Sequence, residues 1–433
     1  MKRGFYTIMS AQFFSSLADN ALFVTAVELL RTNGAPEWQR AALVPMFALF
    51  YVILAPFVGA FADALPKGRV MFISNAIKIV GCLMMLFGNH PLLAYAVVGL
   101  GAAAYSPAKY GILTELLPAS QLVKANGWIE GLTITSIILG VLVGGQLLGP
   151  GISAHLLDFD LPWIETGVDT SAEAAIAVLV GVYALAAWFN LRIPQTDVPL
   201  RPLRQDPDKS LLANTMALLP DFWNCSQRLW SDKLGQISLS TTTLFWGVSG
   251  NLRYIVLAWG AAALGYSTSQ ASALVGVVAI GTAVGAIIAS TRMRLDNATS
   301  VIPLGVTMGL LVILMIFISN VWVAIPFLIL LGGLGGFLVV PMNALLQHRG
   351  HNLMGAGRSI AVQNFNEQAC ILALGAFYAM STKFGLSAFG AITVFGLVVA
   401  GIMWLIGRWH RHNLRQHPEE VARLLEIARR DCH

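Results

Sequence analysis

The stretch Tyr105-Ser-Pro-Ala-Lys109-Tyr-Gly-Ile-Leu-Thr-Glu115 comes directly after an apolar, glycine-rich run and turns polar at its proline. A second stretch, Pro341-Met-Asn343-Ala-Leu-Leu-Gln347, repeats this pattern in the second half of the chain. A short basic segment follows each stretch, and then a run that opens with amides and a glutamate. Ionisable groups among apolar helices are costly and mark functional sites by default. Their repetition indicates a chain built from two related halves.

The composition places the chain in a membrane. Of its 433 residues, 56% are hydrophobic and 11% are charged, and the mean hydropathy is +0.70. Soluble domains carry roughly a quarter charged residues, and about 20 apolar residues cross a bilayer as a helix. We predict an all-α integral membrane protein with twelve transmembrane helices in two pseudo-symmetric six-helix halves. The predicted spans are residues 4–30, 41–62, 70–88, 91–112, 121–148, 171–191, 237–262, 270–291, 300–318, 321–346, 355–380 and 386–407.

The distribution of positive charge predicts the orientation. With the N-terminus in the cytoplasm, the external loops hold only Arg31, Arg40 and Lys383, and most other Lys and Arg residues fall in cytoplasmic segments. The positive-inside rule then places both termini in the cytoplasm. The N-terminal run resembles a signal peptide, but its length and its internal Asp19-Asn20 predict a helix that the mature protein retains.

The linker and the tail have helical patterns of their own. The linker contains an amphipathic run at 211–230, which we expect to lie on the inner membrane surface. The tail begins with Pro and acids and ends with Arg, which is typical of a short soluble helix. A solvated appendage is favoured over a docking site for this tail. The predicted segments are a six-helix half at 1–191, a cytoplasmic linker at 192–236, a six-helix half at 237–407 and a cytoplasmic tail helix at 408–433.

The internal repeat suggests the architecture. Gly101 in the first half matches Gly335 in the second, each six residues before a proline, and Asn20 matches Asn251. Two such halves joined by a cytoplasmic linker are typical of the major facilitator superfamily. The four cysteines are scattered, so we predict neither a disulfide framework nor a metal site, and no cofactor.

Two sets of motifs carry a family resemblance. The run Gly59-Ala-Phe-Ala-Asp63-Ala-Leu-Pro-Lys67-Gly68-Arg69 resembles the superfamily signature that gates the cytoplasmic side, although extra residues separate its Asp from its basic cluster. The resemblance implies gate roles for Asp63 and Arg69. The remaining motifs resemble the bacterial lysophospholipid transporter family, and they are Ala18-Asp-Asn-Ala-Leu22, Ala55-Pro-Phe-Val-Gly59, Ala102-Ala-Ala-Tyr-Ser-Pro-Ala-Lys-Tyr-Gly-Ile-Leu113, Leu122-Val-Lys-Ala-Asn-Gly127, Pro341-Met-Asn-Ala-Leu-Leu-Gln347 and Ala361-Val-Gln-Asn364.

The resemblance implies a flippase-like carrier in the inner membrane of a Gram-negative bacterium. Such carriers move lysophosphatidylethanolamine and lysophosphatidylglycerol from the outer to the inner leaflet. A cytoplasmic acyltransferase/acyl-carrier-protein synthetase, a possible partner, then restores the second acyl chain. We expect a monomer that contacts membrane lipid and binds no nucleic acid.

Asp19, Asn20 and Arg253 are the leading candidates for substrate contact, and Asn343 joins them. Counting residues along two outward-running helices places Asp19 and Arg253 at nearly the same depth. Arginine suits a phosphate, while Asp or Asn can accept an ammonium or a hydroxyl. The alternative is a permanent Asp19–Arg253 bridge that holds the halves together.

The two opening stretches are predicted to form an inner gate at the cytoplasmic ends of their helices. Snorkelling to water explains Lys109, Lys124 and Arg358 equally well, and it is the favoured interpretation of Lys78. The gate residues are Asp63, Arg69, Lys109, Lys124, Asn126, Glu130, Gln347, Arg358, Gln363, Asn364 and Glu367.

Two features of the sequence permit other functions. The His155-Leu-Leu-Asp-Phe-Asp160 run matches the His-x4-Asp pattern of membrane-bound acyltransferases, but it is predicted to be external, away from cytoplasmic acyl donors. No catalytic residues are therefore assigned. A proton-coupled drug or sugar carrier of the same superfamily remains an alternative, because Asp19 and Glu130 permit coupling. The sequence leaves the headgroup preference and ion coupling open.

Overall fold

In the computed structural model, the described residues are 3–116, 119–158, 168–196, 199–200, 210–354 and 356–430. They form sixteen α-helices and two 3-10 helices, Leu295–Val301 and Met315–Phe317, and every predicted apolar segment overlaps one of the α-helices. The helices are α1 Arg3–Thr32, α2 Glu37–Ala64, α3 Lys67–Leu86, α4 Pro91–Leu116, α5 Ala119–Leu147, α6 Pro150–Leu157, α7 Ser171–Leu191, α8 Leu211–Met216, α9 Leu218–Ser231, α10 Gly235–Leu264, α11 Thr268–Arg292, α12 Ile302–Leu314, α13 Val321–Met354, α14 Ala356–Lys383, α15 Ala388–Gln416 and α16 Pro418–Arg430.

Local chemistry explains several boundaries. Thr170 and Glu173 form a reciprocal capping box at the start of α7. Pro66 precedes the first residue of α3, where a missing backbone N–H costs nothing. Gly265 ends α10 in the left-handed region, with φ of 64°, which glycine adopts without a steric penalty.

Nine of the helices in the described ranges are long and apolar enough to cross a membrane, or ten if the bent pair Thr135–Leu147 and Pro150–Leu157 is one span. The count of twelve spans stays a prediction. Helices α10 and α14 are not among the nine, and both carry polar residues, such as Asn251 and Arg253 in α10 and the run Gln363-Asn-Phe-Asn-Glu-Gln368 in α14. Polar side chains inside a bundle lower the hydropathy of a helix without exposing charge to lipid.

The chain divides into two compact units. Unit 1 comprises Met1–Leu218 and Tyr266–Gly276, and unit 2 comprises Leu219–Gly265 and Val277–His433. Within each unit, a glycine lets two helices approach closely. A Cβ at Gly99 would lie 2.2 Å from the Phe47 carbonyl oxygen in unit 1, and one at Gly285 would lie 2.0 Å from that of Gly333 in unit 2. Small residues permit such contacts between membrane helices.

The linker helix α9 belongs to unit 2 from Leu219 onward and packs against other helices of that unit. Its Cys225 and Leu229 join a buried cluster with Leu346 and Val362. Another part of its surface stays exposed, because Trp223 keeps 62% of its surface accessible. Placement of this exposed part on the membrane therefore stays a prediction.

The tail helix α16 lies where the sequence predicts a helix, but it is not a freely solvated appendage. Val421 and Leu424 on one side of it are buried. Arg429 on the same helix forms an ion pair with Asp296 at 3.2 Å. The sequence interpretation as an appendage was wrong because the helix has an apolar side that unit 2 covers.

Candidate functional site

A charged network lies inside unit 1. The Nζ of Lys78 donates to an Asp19 carboxylate oxygen at 2.7 Å and to the Ser15 hydroxyl at 3.0 Å. The Tyr183 hydroxyl donates to the other Asp19 oxygen at 2.7 Å, and the Ser15 hydroxyl donates to Asn75 at 2.8 Å. We call Ser15, Asp19, Asn75, Lys78 and Tyr183 the unit 1 polar cluster.

Helix periodicity assembles this cluster. Ser15 and Asp19 are one turn apart on α1, and Asn75 and Lys78 are one turn apart on α3. Residues at these spacings share a helix face, so two helices present four polar groups to each other. A buried charge is tolerated when it is paired and hydrogen-bonded. The Lys78 side chain is 1% exposed and that of Asp19 is 20% exposed, so water reaches the pair from the Asp19 side.

Lys78 corrects the sequence interpretation. We expected this lysine to snorkel to water, but it is buried and paired with Asp19. Helix α3 starts at Lys67, earlier than predicted, which places Lys78 about 16 Å along it. The sequence signal for this pairing is helical spacing. Asn75 and Lys78 are at i and i+3 on one helix, and Ser15 and Asp19 are at i and i+4 on another.

A glycine makes room for the lysine. A Cβ on Gly101 of α4 would lie 2.7 Å from the Lys78 Cγ and 2.6 Å from the Ser74 carbonyl oxygen. The aromatic rings of Tyr105 and Tyr183 lie beside the ammonium group, with centroids 5.1 and 5.6 Å from its nitrogen. These distances suit cation–π attraction, so the fold holds Lys78 on several sides.

The hydrogen bonds given for the predicted substrate residues Asn20 and Arg253 are local ones. Asn20 is 7% exposed and donates to the Ser16 carbonyl at 2.8 Å, within its own helix. Arg253 belongs to α10 of unit 2, where its Nε lies 3.4 Å from the Gly250 carbonyl. Its roles in phosphate contact or in a bridge to Asp19 stay predictions.

Unit 2 has its own polar cluster, which joins predicted gate residues to a predicted substrate residue. The Gln363 amide nitrogen donates to Asn343 at 2.7 Å and to Glu367 at 2.7 Å. Gln363 and Glu367 are one turn apart on α14, and Asn343 lies on α13. We call these three residues the unit 2 amide cluster. Asn364 is partly buried beside it, and Gln347 is exposed.

The motif that resembles the superfamily signature brings charged side chains together at the start of α3. Lys67 donates to the Ala62 carbonyl at 2.7 Å and lies 3.5 Å from Glu115 of α4. A cavity of about 720 Å³ opens there, with Arg69 and Glu115 among its lining residues. Arg69 is exposed, whereas Lys109 near the end of α4 is only 9% exposed. The motif that resembles the superfamily gate therefore lies beside an open cavity.

Some predicted gate residues cannot be placed. The side chains of Asp63, Lys124, Asn126, Glu130 and Arg358 lie outside the described residues, as does Asp160 of the His-x4-Asp pattern. In the ranges given above, no group of three or more His, Cys, Asp or Glu side chains is arranged to hold a metal ion.

A buried ion pair in unit 2 escaped the sequence analysis. Asp232, which follows α9, receives two hydrogen bonds from Arg349 of α13, at 2.6 and 3.1 Å. Both side chains are less than a tenth exposed. Asp232 also accepts from the backbone N–H of Gly235 at the start of α10. Within unit 2, this pair joins the end of the linker to α13.

The sequence relatives of the chain are membrane transporters. The pattern of the Major Facilitator Superfamily matches residues 8–369. The lysophospholipid transporters LplT of Yersinia pestis (strain Pestoides F) and Yersinia pseudotuberculosis serotype O:3 (strain YPIII) are each 38% identical to it over 386 residues. These matches cover 89% of this chain and 88% of each relative.

Solved structures agree on the fold. A bacterial homologue of the human lysosomal transporter Spinster, inward-facing and unoccupied, matches with a TM-score of 0.62 and 16% identity, over 95% of this chain and 99% of that one. The nucleoside transporter NupG matches with a TM-score of 0.66 and 12% identity, over 94% and 99%. The resemblance seen in the motifs is thereby confirmed: the chain belongs to the major facilitator superfamily and, within it, to the family of the lysophospholipid transporters.

Proposed function

We propose that this protein carries lysophospholipids, such as lysophosphatidylethanolamine and lysophosphatidylglycerol, from the outer to the inner leaflet of the bacterial inner membrane. The observation that carries the proposal is the 38% identity, over 89% of the chain, to transporters named for this substrate. Reacylation by a cytoplasmic acyltransferase/acyl-carrier-protein synthetase would follow transport. The chain itself then needs no catalytic residues.

The chemistry of the substrate fits the distribution of polar groups. A lysophospholipid has a charged headgroup, which is costly in hydrocarbon, and an acyl chain, which is not. Unit 1 supplies a small charged cluster among apolar helices, with Asp19 at its accessible edge. We assign headgroup contact to Asp19, Asn20, Arg253 and Asn343.

The inner gate is part of the same proposal. The unit 2 amide cluster and the Lys67–Glu115 pair are hydrogen-bonded or ionic groups whose partners can change as helices move. We assign the gate to the eleven residues named from the sequence. The twelve spans, the cytoplasmic termini and the monomeric state complete the proposal.

Uptake of labelled lysophosphatidylethanolamine by spheroplasts of a strain lacking its own transporter tests this function. The wild-type protein is expected to restore uptake, and Asp19→Ala and Arg253→Ala are expected to lose most of it at equal membrane abundance. Normal uptake by Arg253→Ala would remove that residue from the site.

The rival carrier function is tested in the same cells. Labelled sugars are expected to stay outside, and uptake of a sugar at the rate of the lipid would contradict the lipid assignment. An uncoupler separates the mechanisms, because proton-coupled uptake collapses on its addition and facilitated flipping does not.

A further inference from the structure

Two buried polar groups, one in the unit 1 polar cluster and one beside it, have no hydrogen-bond partner. The Nδ2 of Asn75 and the hydroxyl of Tyr105 have no hydrogen-bond partner, although Asn75 is 0% exposed and Tyr105 is 5% exposed. Both groups can donate. Buried polar groups without a partner are rare in native proteins, and each requires an explanation.

Both unsatisfied groups lie beside Lys78. Asn75 is one helical turn before it on α3, and its oxygen already accepts from Ser15, which in turn accepts from Lys78. The Tyr105 ring centroid lies 5.1 Å from the Lys78 nitrogen. An ammonium group and two residues with an unpaired donor therefore lie close to one another.

We propose that Lys78, Asn75 and Tyr105 form a phosphate subsite for the lysophospholipid headgroup, an inference that rests on the proposed function. The non-bridging oxygens of a phosphodiester accept hydrogen bonds and carry negative charge, so they match unpaired donors beside an ammonium. The subsite lies within unit 1 and needs no contribution from Arg253.

The geometry also gives the order of contacts. Asp19 is the accessible member of the pair, so an arriving headgroup meets it before Lys78. A phosphate oxygen then takes the place of the Asp19 carboxylate on Lys78. Asp19 stays hydrogen-bonded to Tyr183 and accepts the ammonium of ethanolamine or a hydroxyl of glycerol. With a phosphoethanolamine headgroup every charge keeps an opposite partner, which burial requires.

The test is Tyr105→Phe in the full-length protein, which removes a single hydroxyl that has no partner. Dissociation constants are measured in detergent micelles for lysophosphatidylethanolamine and for a monoacylglycerol with the same acyl chain, which lacks phosphate. The affinity for the phospholipid is expected to fall about 10-fold, as for a lost hydrogen bond to a charged group. The affinity for monoacylglycerol is expected to stay unchanged.

Two further variants complete the design. Tyr378→Phe removes a hydroxyl from a tyrosine that is 2% exposed in unit 2, and it is expected to change neither affinity. Asn75→Asp keeps the oxygen that accepts from Ser15 but replaces the free donor with a carboxylate. It is expected to weaken phospholipid binding more than Tyr105→Phe does, because the new charge repels phosphate.

The outcomes separate this inference from the proposed function. If the wild-type protein binds the phospholipid and Tyr105→Phe binds it with the same affinity, the subsite is overturned and the proposed function stands. The same conclusion follows if Tyr105→Phe loses affinity equally for the phospholipid and for monoacylglycerol. Folded Asn75→Asp protein with wild-type affinity overturns it as well. If the wild-type protein binds no lysophospholipid, the proposed function and the subsite fail together.

Discussion

The unit 1 polar cluster and the unit 2 amide cluster hold their polar side chains in different ways. Unit 1 buries an ion pair, Asp19–Lys78, with a tyrosine and a serine bonded to it. Unit 2 builds its amide cluster around Gln363, with Glu367 as its one ionisable member. Burying the ion pair of unit 1 costs more desolvation free energy than burying the amide cluster of unit 2. In return, the charged groups of unit 1 can exchange partners.

The internal repeat shows where the units diverged. Asn20 and Asn251 each donate at 2.8 Å to the carbonyl four residues earlier, so the repeated asparagines keep the same local bond. The residue before each differs, since Asp19 corresponds to Gly250. At this repeated position the asparagine is common to both units, while the carboxylate beside it is present in unit 1 only.

The repeated glycines Gly101 and Gly335 also have different surroundings in the two units. Gly101 faces the Lys78 side chain, whereas Gly335 lies near the Met308 sulfur, at 3.5 Å from a built Cβ. A charged residue in unit 1 thus has an apolar counterpart in unit 2. The comparison supports our proposal that Asp19 and Lys78 of unit 1 meet the headgroup.

Removing one member of the unit 1 pair is expected to have the largest effect. Asp19→Leu leaves Lys78 buried without its carboxylate, and loss of one partner of a buried pair costs about 3–5 kcal/mol. Lys78→Met is expected to cost less, because the Asp19 side chain is 20% exposed and retains access to water. Thermal unfolding in detergent measures both.

The double variant Asp19→Leu, Lys78→Met is the control for this prediction. Replacing both charges with apolar groups of similar volume is expected to recover most of the stability lost by Asp19→Leu. If the double variant were as unstable as Asp19→Leu, the ion pair would not be the source of the loss.

The repeated glycines should differ in a second, smaller effect. A Cβ at Gly101 would lie 2.6 Å from the Ser74 backbone oxygen. A Cβ at Gly335 would lie 2.9 Å from the Phe245 ring, and its three nearest atoms all belong to side chains. Overpacking costs about 1–3 kcal/mol, and backbone yields less than a side chain. Gly101→Ala is therefore expected to lower the unfolding temperature more than Gly335→Ala. The reverse order would contradict the close packing around Lys78.

The smallest effect is expected in the unit 2 amide cluster. Glu367→Gln keeps an oxygen that accepts from Gln363 but removes the charge, so the expected loss is about 1 kcal/mol. Lipid affinity should not change. Asn366→Ala is the matched control. The hydrogen bond given for the Asn366 side chain goes to the Val362 carbonyl of its own helix. A loss of lipid affinity in Glu367→Gln as large as that expected for Tyr105→Phe would place Glu367 among the headgroup contacts, beside Asn343, and would contradict its assignment to the gate alone.

The sequence was sufficient for the helices and the family. Long apolar runs and repeated glycines predicted every main helix, because membrane helices are dictated by hydropathy along the chain. Asp19 and Gln363 were recognised as candidates because polar residues in apolar runs are conspicuous. The tail helix was also predicted, from the acids at its start and the arginines at its end.

The partners of those residues were harder to predict. The prediction for Lys78 was wrong because a single sequence does not distinguish a lysine that snorkels to water from a lysine that faces a carboxylate on another helix. Hydropathy does not give the rotation of one helix against its neighbour, which brings Tyr183 of α7 to Asp19 of α1. The Asp232–Arg349 pair was missed because it joins a loop to a distant helix.

Uptake of lysophosphatidylethanolamine by the Asp19→Leu, Lys78→Met double variant tests the central claim most directly. Spheroplasts with wild-type and variant protein at equal abundance are compared, after thermal unfolding has shown that the variant is folded. The charged pair of unit 1 is proposed as the headgroup site, so the folded variant is predicted to lose nearly all uptake. Uptake at the wild-type rate by this folded variant would contradict the claim.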